Sequence, residues 1–245
     1  MRNGRLKNGK MQIILTIETD QPPVLPLSYN YMLQSAIYAK LREVGASDFP
    51  HDTGYGTNRR FKAFVFGPLT GRYSIEDKNI IFSDGVTLEI RSPVFGFCDA
   101  LQRSIEREPY LALAGAKLRI SGMRVENKHI EGGTVLFETL SPAVARMTLE
   151  SGKTIYYSPY DSGFAKRVSD NFRRKFAACT GREPAPVIVR PVGSFKKTVT
   201  RYKGLWITAW SGRFETEGES EQLEFIYNAG LGEKNSQGFG MVRQR

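Results

Sequence analysis

The residues best suited to do chemistry lie near the end of the chain, in the glycine-rich stretch Gly230 to Gly240 (GLGEKNSQGFG). Two Gly-x-Gly pairs bracket its polar centre, so the backbone can turn tightly and approach a partner without Cβ atoms in the way. Such a loop can direct backbone N–H groups at an anion, and Lys234 adds a positive charge where those groups would converge. The spacing predicts a phosphate-binding loop, and a surface hairpin that merely tolerates glycine is the alternative.

A nucleotide cofactor does not fit this loop. Both the P-loop and the dinucleotide fingerprint need a helix that begins at the loop and directs its N-terminus at the phosphates. Five residues follow Gly240, too few for a helix. We therefore expect no cofactor, and a polymeric phosphate ligand instead.

The usual metal-binding patterns are weak in this chain. Cys98 and Cys179 lie far apart without a CxxC spacing, and His51 and His129 are the two histidines. This set does not match the ligand spacing of a zinc site, so we expect no metal. Both cysteines lie among apolar residues of predicted helices, where a buried structural role is expected.

The net charge of +10 makes nucleic acid or an anionic membrane surface the leading classes of partner. A membrane is the weaker choice because no apolar run approaches the roughly 18 residues needed to span a bilayer. The basic stretch of residues 1–10 lacks the apolar region of a signal peptide. We expect a cytoplasmic protein in which residues 1–10 are a leader, an alternative start or an added segment without a role in the fold.

The elements that must position these residues alternate clearly in the first half. Helical spacing predicts amphipathic helices over residues 29–43 and 93–107, the second with Ser92 as N-cap and Pro93 at the first helical position. Strand patterns run over residues 12–18, 61–66, 75–82, 86–90 and 117–125. The order β-α-β-hairpin-α-β is the split βαβ plan of a ferredoxin-like domain.

The second half repeats this plan less clearly. A strand pattern covers residues 134–139, phenylalanines at helical spacing predict a helix over residues 161–179, and further strands are predicted over residues 186–192, 199–214 and 239–242. No helix is assigned to residues 223–227. We expect an α+β fold of tandem ferredoxin-like (RRM-like) domains, residues 1–127 and 128–245, the second with a degenerate second helix. A single large α+β sheet is the alternative.

Positive charge is densest between Lys166 and Lys203, a stretch whose acids are Asp170 and Glu183. The polar face of the predicted helix and a turn over residues 195–203 would together line a groove for a polyanion. A solvated helix face explains any single one of these basic residues equally well. Four tyrosines nearby are suited to stack on unpaired bases or to pack in a core: Tyr156, Tyr157, Tyr160 and Tyr202.

The chain resembles the CRISPR-associated endoribonucleases of the RAMP superfamily, which cut the repeat RNA of CRISPR precursor transcripts. The strongest match is residues 230–242, GLGEKNSQGFGMV, which are close to the C-terminal glycine-rich signature of that family almost letter for letter. Further matches are residues 33–38, 49–52, 62–66 and 139–142. The resemblance spans the chain from about Met11 and implies the tandem ferredoxin-like RAMP fold of that family.

The resemblance also implies a metal-independent catalytic group of Tyr38, His51 and Lys62. RNA brings its own nucleophile, the 2′-hydroxyl, so the protein must transfer protons, align the attack and stabilise charge on phosphorus. In the implied roles histidine moves a proton, lysine stabilises the phosphorane oxygens and tyrosine orients a neighbour. The implied products carry 2′,3′-cyclic phosphate and 5′-hydroxyl ends and serve as guide RNAs.

The partner implied by the resemblance is CRISPR repeat RNA, with other subunits of an interference complex as further partners of a monomer or homodimer. The predicted RNA contacts come from the glycine-rich loop and from basic positions elsewhere. They are Gly230, Gly232, Lys234, Asn235, Ser236, Gly238, Gly240, Arg59, Arg60, Arg173, Arg174, Lys196, Lys197 and Arg201.

Two other classes of function stay open at the level of the sequence. A non-catalytic subunit that binds repeat RNA in an interference complex would need the same loop and the same basic patch. A small-molecule enzyme on a ferredoxin-like scaffold is the third class, because a fold alone does not determine a function. No paired carboxylates or nucleophile elbow indicate such an enzyme.

Overall fold

The structure, a computed structural model, describes residues 11–18, 23–46 and 61–245. These ranges form two successive α+β units. The first contains β1 (Gln12–Glu18), β2 (Val24–Pro26), α1 (Asn30–Glu43), β3 (Val65–Phe66), β4 (Tyr73–Glu76), β5 (Asn79–Phe82), β6 (Val86–Arg91), α2 (Phe97–Arg107), β7 (Tyr110–Leu113) and β8 (Ala116–Glu126). The second contains β9 (Gly133–Thr139), β10 (Arg146–Thr148), β11 (Thr154–Tyr156), α3 (Gly163–Thr180), β12 (Ile188–Tyr202), β13 (Leu205–Gly218), α4 (Ser220–Ala229) and β14 (Val242–Gln244).

The first unit is built on an antiparallel sheet of order β3-β6-β1-β8-β7. Its central strand β1 alternates, so Ile13, Leu15 and Ile17 share one face and are fully buried. The apolar stripes of α1 and α2 pack on that face, with Leu33 and Leu101 in the same core. The strand order and the two helices confirm the ferredoxin-like plan.

Three local predictions in the first unit are wrong. Residues 75–82 are not one strand, because Asp77 and Lys78 adopt positive φ and turn the chain into the hairpin β4–β5. In the predicted strand 61–66, the strand covers just Val65–Phe66. Helix α2 begins at Phe97 rather than at Pro93, because Gly96 adopts a left-handed conformation with φ +80° just before it. The Ser92 hydroxyl accepts from the Val94 N–H at 3.1 Å and donates to the carbonyl oxygen of Ala63 at 2.6 Å.

The second unit has a four-stranded antiparallel sheet of order β12-β13-β9-β14. Helix α3 buries the phenylalanines that the sequence placed on one face, and Phe164 stacks on Phe214 of β13 with ring centroids 5.6 Å apart. The second helix is α4, which covers the segment to which no helix was assigned. It is short but complete, and the capping box of Glu219 and Gln222 begins it.

The long hairpin β12–β13 also differs from the prediction. Its strands turn at Lys203 and Gly204, both with positive φ, so residues 195–202 are extended rather than a turn. The predicted strand 199–214 therefore crosses the hairpin turn. The last strand begins at Val242, because residues 239–241 belong to the glycine-rich loop.

A buried arginine joins the two units. Arg91 ends β6 with 2% of its surface exposed, and its Nη1 donates to the carbonyl oxygens of Tyr227 at 3.2 Å and Val242 at 2.7 Å. Its guanidinium lies 3.7 Å from the centre of the Tyr227 ring. The first sheet is thereby tied to α4 and β14 of the second unit. Strand β8 ends at Glu126 and β9 begins at Gly133, and the domain boundary at residue 127 stays a prediction.

Candidate functional site

A cavity of about 310 Å³ lies between the two units, and we call it the cleft. Residues 61–64, just before β3, form one wall. Residues 233–237 of the glycine-rich loop also line the cleft, together with Asn171 and Lys175 of α3, Arg146 and Ala229. The cleft therefore brings the loop of the second unit close to the segment that carries Lys62.

The glycines of the loop are required by packing. Gly230, Gly232, Gly238 and Gly240 are all buried and have positive φ, which L side chains rarely adopt. A Cβ atom at Gly240 would overlap the carbonyl oxygen of Leu231, and one at Gly238 would lie 2.8 Å from the Phe66 ring. The structure thus gives these glycines a packing role that their sequence spacing did not indicate, and their contact with RNA stays a prediction.

Most backbone N–H groups of the loop already have acceptors inside the protein. The N–H of Leu231 donates to Gly240, that of Glu233 to Val144 and that of Gly240 to Pro142, each at 2.8 to 2.9 Å. A phosphate cradle made of these N–H groups is therefore not formed. The loop instead presents Lys234, Ser236 and Gln237, which are half-buried, on the wall of the cleft.

A buried lysine holds the loop from below. Lys175 Nζ donates to the carbonyl oxygens of Gly230 at 2.6 Å and Gly232 at 3.1 Å and to Asn235 Oδ1 at 2.8 Å. The Asn235 amide in turn donates to the carbonyl oxygens of Leu231 and Phe239. Lys175 belongs to the basic stretch between Lys166 and Lys203 but does not lie on the polar face of the helix as predicted for that stretch, because α3 buries it among its apolar residues.

Two amides of α1 hold the loop from the other unit. Asn30 Nδ2 donates to the carbonyl oxygen of Gln237 at 3.1 Å, and Gln34 Nε2 donates to that of Ser236 at 2.6 Å. Gln34 Oε1 accepts a hydrogen bond from the Tyr202 hydroxyl at the end of β12. One side chain of α1 therefore links the loop to the long hairpin.

Of the three residues of the implied catalytic group, the structure describes Lys62 and Tyr38. Lys62 lines the same cleft as Lys234. Tyr38 packs edge-on against Phe64, another lining residue, with ring centroids 5.5 Å apart. His51 lies outside the described residues, as do Arg59 and Arg60. The catalytic assignment of all three residues stays a prediction.

Tyr202 adds a second phenol close to Tyr38. Burial raises the pKa of the Tyr202 hydroxyl well above its ordinary value, and the negative charges that Tyr38 and Tyr31 would carry raise it further. Tyr202 is therefore neutral at physiological pH and serves as a hydrogen-bond donor.

The buried acid of the loop pairs with a base. Arg146 on β10 lies with its Nε 3.2 Å from Glu233 Oε2, and the Glu233 side chain is almost fully buried. The pair places a guanidinium at the edge of the cleft beside Lys234 while it neutralises the carboxylate. Neither residue was singled out in the sequence.

The other predicted RNA contacts form two separate surfaces. On the exposed face of α3, Arg173 is paired with Glu183 at 3.0 Å, and Arg174 Nε donates to the carbonyl oxygen of Asp170. On the long hairpin, Lys196, Lys197 and Arg201 are exposed. Of these two cations, Arg173 is thus partly neutralised by an acid, whereas the bond of Arg174 is to a neutral carbonyl group.

The hairpin combines cations with indole rings. Lys197 Nζ lies 5.9 Å from the centre of the Trp210 ring, and the Arg201 guanidinium lies 6.0 Å from that of Trp206. Trp206 is 65% exposed. Exposed aromatic rings beside cations provide stacking surfaces for single-stranded nucleic acid. The sequence predicted this role for the tyrosines, and the two tryptophans were missed. Their spacing of four residues in a strand was the available signal, because it puts Trp206 and Trp210 on the same face.

Lys175 and Asn171 were missed for a different reason. Asn171 lies three and Lys175 seven residues after Val168. These spacings put both on the apolar face of α3 beside Phe172 and Phe176. That spacing is the signal that distinguishes a buried lysine from a solvated one.

A larger cavity of about 510 Å³ lies at another junction of the two units, lined by Met11, His129 and Glu224 among others. His129 Nδ1 lies 2.6 Å from Glu224 Oε1. Among the predicted catalytic and RNA-contacting residues that the structure describes, none lines this cavity, whereas several line the cleft, so the cleft is the better candidate site.

Two absences hold for the described ranges. No helix there has the length and apolar character needed to cross a membrane. No cluster of three or more histidine, cysteine, aspartate or glutamate side chains there is arranged to hold a metal ion.

Comparison with known proteins gives consistent matches. Residues 125–244 match the family model described as CRISPR associated protein Cas6, C-terminal. Over 243 residues the chain is 26% identical to the CRISPR-associated endoribonuclease Cas6 1 of Methanocaldococcus jannaschii, covering 95% of this chain and 92% of that protein. Over 232 residues it is 29% identical to a putative CRISPR-associated endoribonuclease-like protein Cas6 of Pyrococcus furiosus, covering 90% and 92%.

A solved structure described as the characterization of a Cas6-related gene from Pyrococcus furiosus superposes on the chain with a TM-score of 0.82. The sequence identity is 24%, and the match covers 97% of this chain and 99% of the other. The two proteins share the same tandem fold.

Proposed function

We propose that the chain, which is similar over almost its full length to CRISPR-associated endoribonuclease Cas6 proteins, is an endoribonuclease that cleaves CRISPR precursor RNA within the repeat. The observation that carries the proposal is the cleft, which is lined both by Lys62 of the first unit and by Lys234 and Ser236 of the second. Cations from both units along one cavity suit a phosphate backbone that passes between the units.

In the proposed reaction the 2′-hydroxyl oxygen before the scissile bond attacks the adjacent phosphorus. His51 removes the hydroxyl proton or delivers one to the leaving 5′-oxygen, since histidine titrates near neutral pH. Lys62 stabilises the charge on the phosphorane oxygens, and Tyr38 orients the group. The P–O5′ bond breaks, leaving a 2′,3′-cyclic phosphate and a 5′-hydroxyl. These residues supply proton transfer and charge, so we propose that the reaction needs no divalent ion.

The loop and the hairpin supply binding rather than chemistry in this proposal. Lys175, Asn30 and Gln34 hold the loop rigidly against α1, so that Lys234 and Ser236 meet RNA in a preorganised position. The exposed Trp206 beside Arg201 holds unpaired bases that extend beyond the cleft. The product stays bound and passes to other subunits of an interference complex.

The test is incubation of labelled repeat RNA with the protein in excess chelator, beside a repeat with a 2′-deoxy residue at the scissile position. We expect cleavage that survives the chelator and disappears with the deoxy substitution. The variant His51→Ala should lose cleavage and keep binding. His129→Ala is the matched control. That histidine pairs with Glu224 at the other cavity, so the variant should cleave the repeat at the normal rate. Normal cleavage by His51→Ala would show that the catalytic assignment is wrong.

A subunit that binds repeat RNA without cutting it is the second candidate. The packing of Tyr38 against Phe64 favours it, because that contact gives the tyrosine a structural reason to be there. Tight binding of the uncut repeat, with no product over long incubation, would support this candidate.

A further inference from the structure

Strand β4 forms an exposed edge of the three-stranded sheet β2-β5-β4. Within the described ranges β4 pairs with β5 and with no other strand, and all four of its residues are exposed. Tyr73 and Ile75 each expose 58% of their surface. An open strand edge with large apolar side chains is a ready template for pairing with another chain, and proteins usually protect such edges.

The main-chain groups of β4 point alternately to β5 and to the free edge. Glu76 lies opposite Asn79 across the two-residue turn at Asp77 and Lys78, so these two flanking residues form a hydrogen-bonded pair. At the other end of the strand, Ser83 N donates to the Arg72 carbonyl oxygen at 3.0 Å. Alternate residues behave alike, so Arg72, Ser74 and Glu76 bond to β5. Tyr73 and Ile75 direct their N–H and C=O groups outward.

The side chains of β4 alternate in the same way, with apolar ones on one face of the sheet and polar ones on the other. Tyr73 lies opposite the buried Phe82, and Ile75 lies opposite the buried Ile80, so both apolar side chains continue the core-facing side of the sheet beyond its last strand. Arg72, Ser74 and Glu76 occupy the other side.

We propose that β4 pairs antiparallel with β4 of a second copy of this chain, about a twofold axis at Ser74. In this register Tyr73 lies opposite the partner's Ile75, and the outward main-chain groups of these residues meet as two hydrogen-bonded pairs. Arg72 lies opposite the partner's Glu76, so each copy contributes one cation and one anion. The strand is self-complementary in hydrogen bonding, apolar contact and charge, as a twofold interface requires.

The charges around β4 favour this occupant over RNA. Glu76, Asp77 and Asp84 lie on the same hairpin as Arg72 and Lys78, and Arg72 Nε is 2.8 Å from Asp84 Oδ2. With three carboxylates against two cations, the hairpin offers no basic surface to a polyanion. The arrangement joins two three-stranded sheets into one of six strands. The paired segment is short, so the buried area falls below the roughly 1,200 Å² of stable interfaces and the dimer should be weak.

The experiment is sedimentation velocity of the full chain without RNA over a wide range of protein concentration. We expect a reversible monomer–dimer equilibrium. Ile75→Lys should abolish the dimer, because it places an ammonium opposite the apolar ring of Tyr73. Phe95→Lys is the matched control, since Phe95 is 64% exposed elsewhere on the surface, and it should dimerise normally.

A charge exchange tests the register. Arg72→Glu and Glu76→Arg should each weaken the dimer by about tenfold, because each puts like charges opposite one another. The double variant should restore dimerisation, with thermal melts checking that every variant is folded. The proposal is overturned if the chain stays monomeric at all concentrations, or if Ile75→Lys leaves the monomer–dimer equilibrium unchanged. Binding of RNA to β4, detected as cleavage or RNA affinity lost in Ile75→Lys at monomeric concentration, also overturns it.

Discussion

Lys175 Nζ lies 2.8 Å from Asn235 Oδ1, and this hydrogen bond joins the buried face of α3 to the centre of the glycine-rich loop. The same ammonium donates to the carbonyl oxygens of Gly230 and Gly232. Three acceptors from one loop therefore converge on one lysine. The conformation of the loop segment that carries Lys234 therefore depends on hydrogen bonds from a buried lysine.

Replacing this lysine should destabilise the protein. Lys175→Met keeps the length of the side chain but leaves three buried acceptors without their donor, at a cost of about 2–4 kcal/mol. We expect a lower melting temperature and a weaker affinity for repeat RNA. Lys117→Met removes the same charge from an exposed pair with Glu108 and should change neither measurement. Equal melting temperatures for the two variants would contradict the role of Lys175 in holding the loop.

The glycines of the loop differ from ordinary glycines with positive φ. Gly240→Ala should destabilise the protein strongly, because its Cβ would overlap the carbonyl oxygen of Leu231. Gly181→Ala is the comparison, since Gly181 ends α3 with φ +72° and nothing lies within 4 Å of an added Cβ. That variant should lose about 1 kcal/mol from backbone strain alone. Urea unfolding of both variants measures the difference, and similar losses would show that the loop is not tightly packed.

Lys62 should affect the rate of cleavage more than binding. Lys62→Met removes the cation that faces the scissile phosphate in our proposal, so the single-turnover rate should fall by about a hundredfold or more. Lys78→Met, at the exposed β4–β5 turn, is the control and should cleave at the normal rate. If Lys62→Met weakens RNA affinity and leaves the rate at saturation unchanged, Lys62 binds RNA without acting in catalysis.

The hairpin should contribute to binding through stacking and charge. Trp206→Ala should weaken the affinity for single-stranded repeat RNA by about 1–3 kcal/mol, as expected for one lost stacking contact. Lys197→Ala should reduce the slope of log affinity against log salt by about one. Arg173→Ala should reduce it less, because Glu183 already pairs with that arginine. A larger effect at Arg173 than at Lys197 would place the RNA on α3 rather than on the hairpin.

The two cysteines should be unreactive in the native protein. Burial raises the pKa of the Cys98 and Cys179 thiols to about 12, so almost no thiolate, the reactive form, exists near neutral pH. Iodoacetamide should modify neither cysteine in the folded chain and both in the unfolded chain, as judged by mass spectrometry. Reactivity would begin to rise as the pH approaches the raised pKa. Cys179 is half-buried and Cys98 is buried, so rapid modification of Cys179 at neutral pH would contradict the raised pKa of its thiol.

Local patterns in the sequence predicted the tandem ferredoxin-like fold because each pattern reports a short-range property. The alternation of Ile13, Leu15 and Ile17 follows from the two-residue period of a strand. The spacing of Phe164, Phe172 and Phe176 follows from the helical period. Errors occurred where the chain reverses within a few residues, because Lys78 and Lys203 adopt the positive φ that glycine or asparagine usually adopts in such turns.

The sequence by itself indicated the resemblance to CRISPR-associated endoribonucleases, the order of most elements and the place of a glycine-rich loop, because these depend on residue types and their spacing along the chain. Only the tertiary structure decided that the loop glycines face the interior, that Lys175 bonds to the loop and that Lys62 and Lys234 line one cleft. A glycine's freedom and a lysine's charge are local properties. Which surface covers them depends on contacts between residues far apart in the chain, and these form only when the two units pack together.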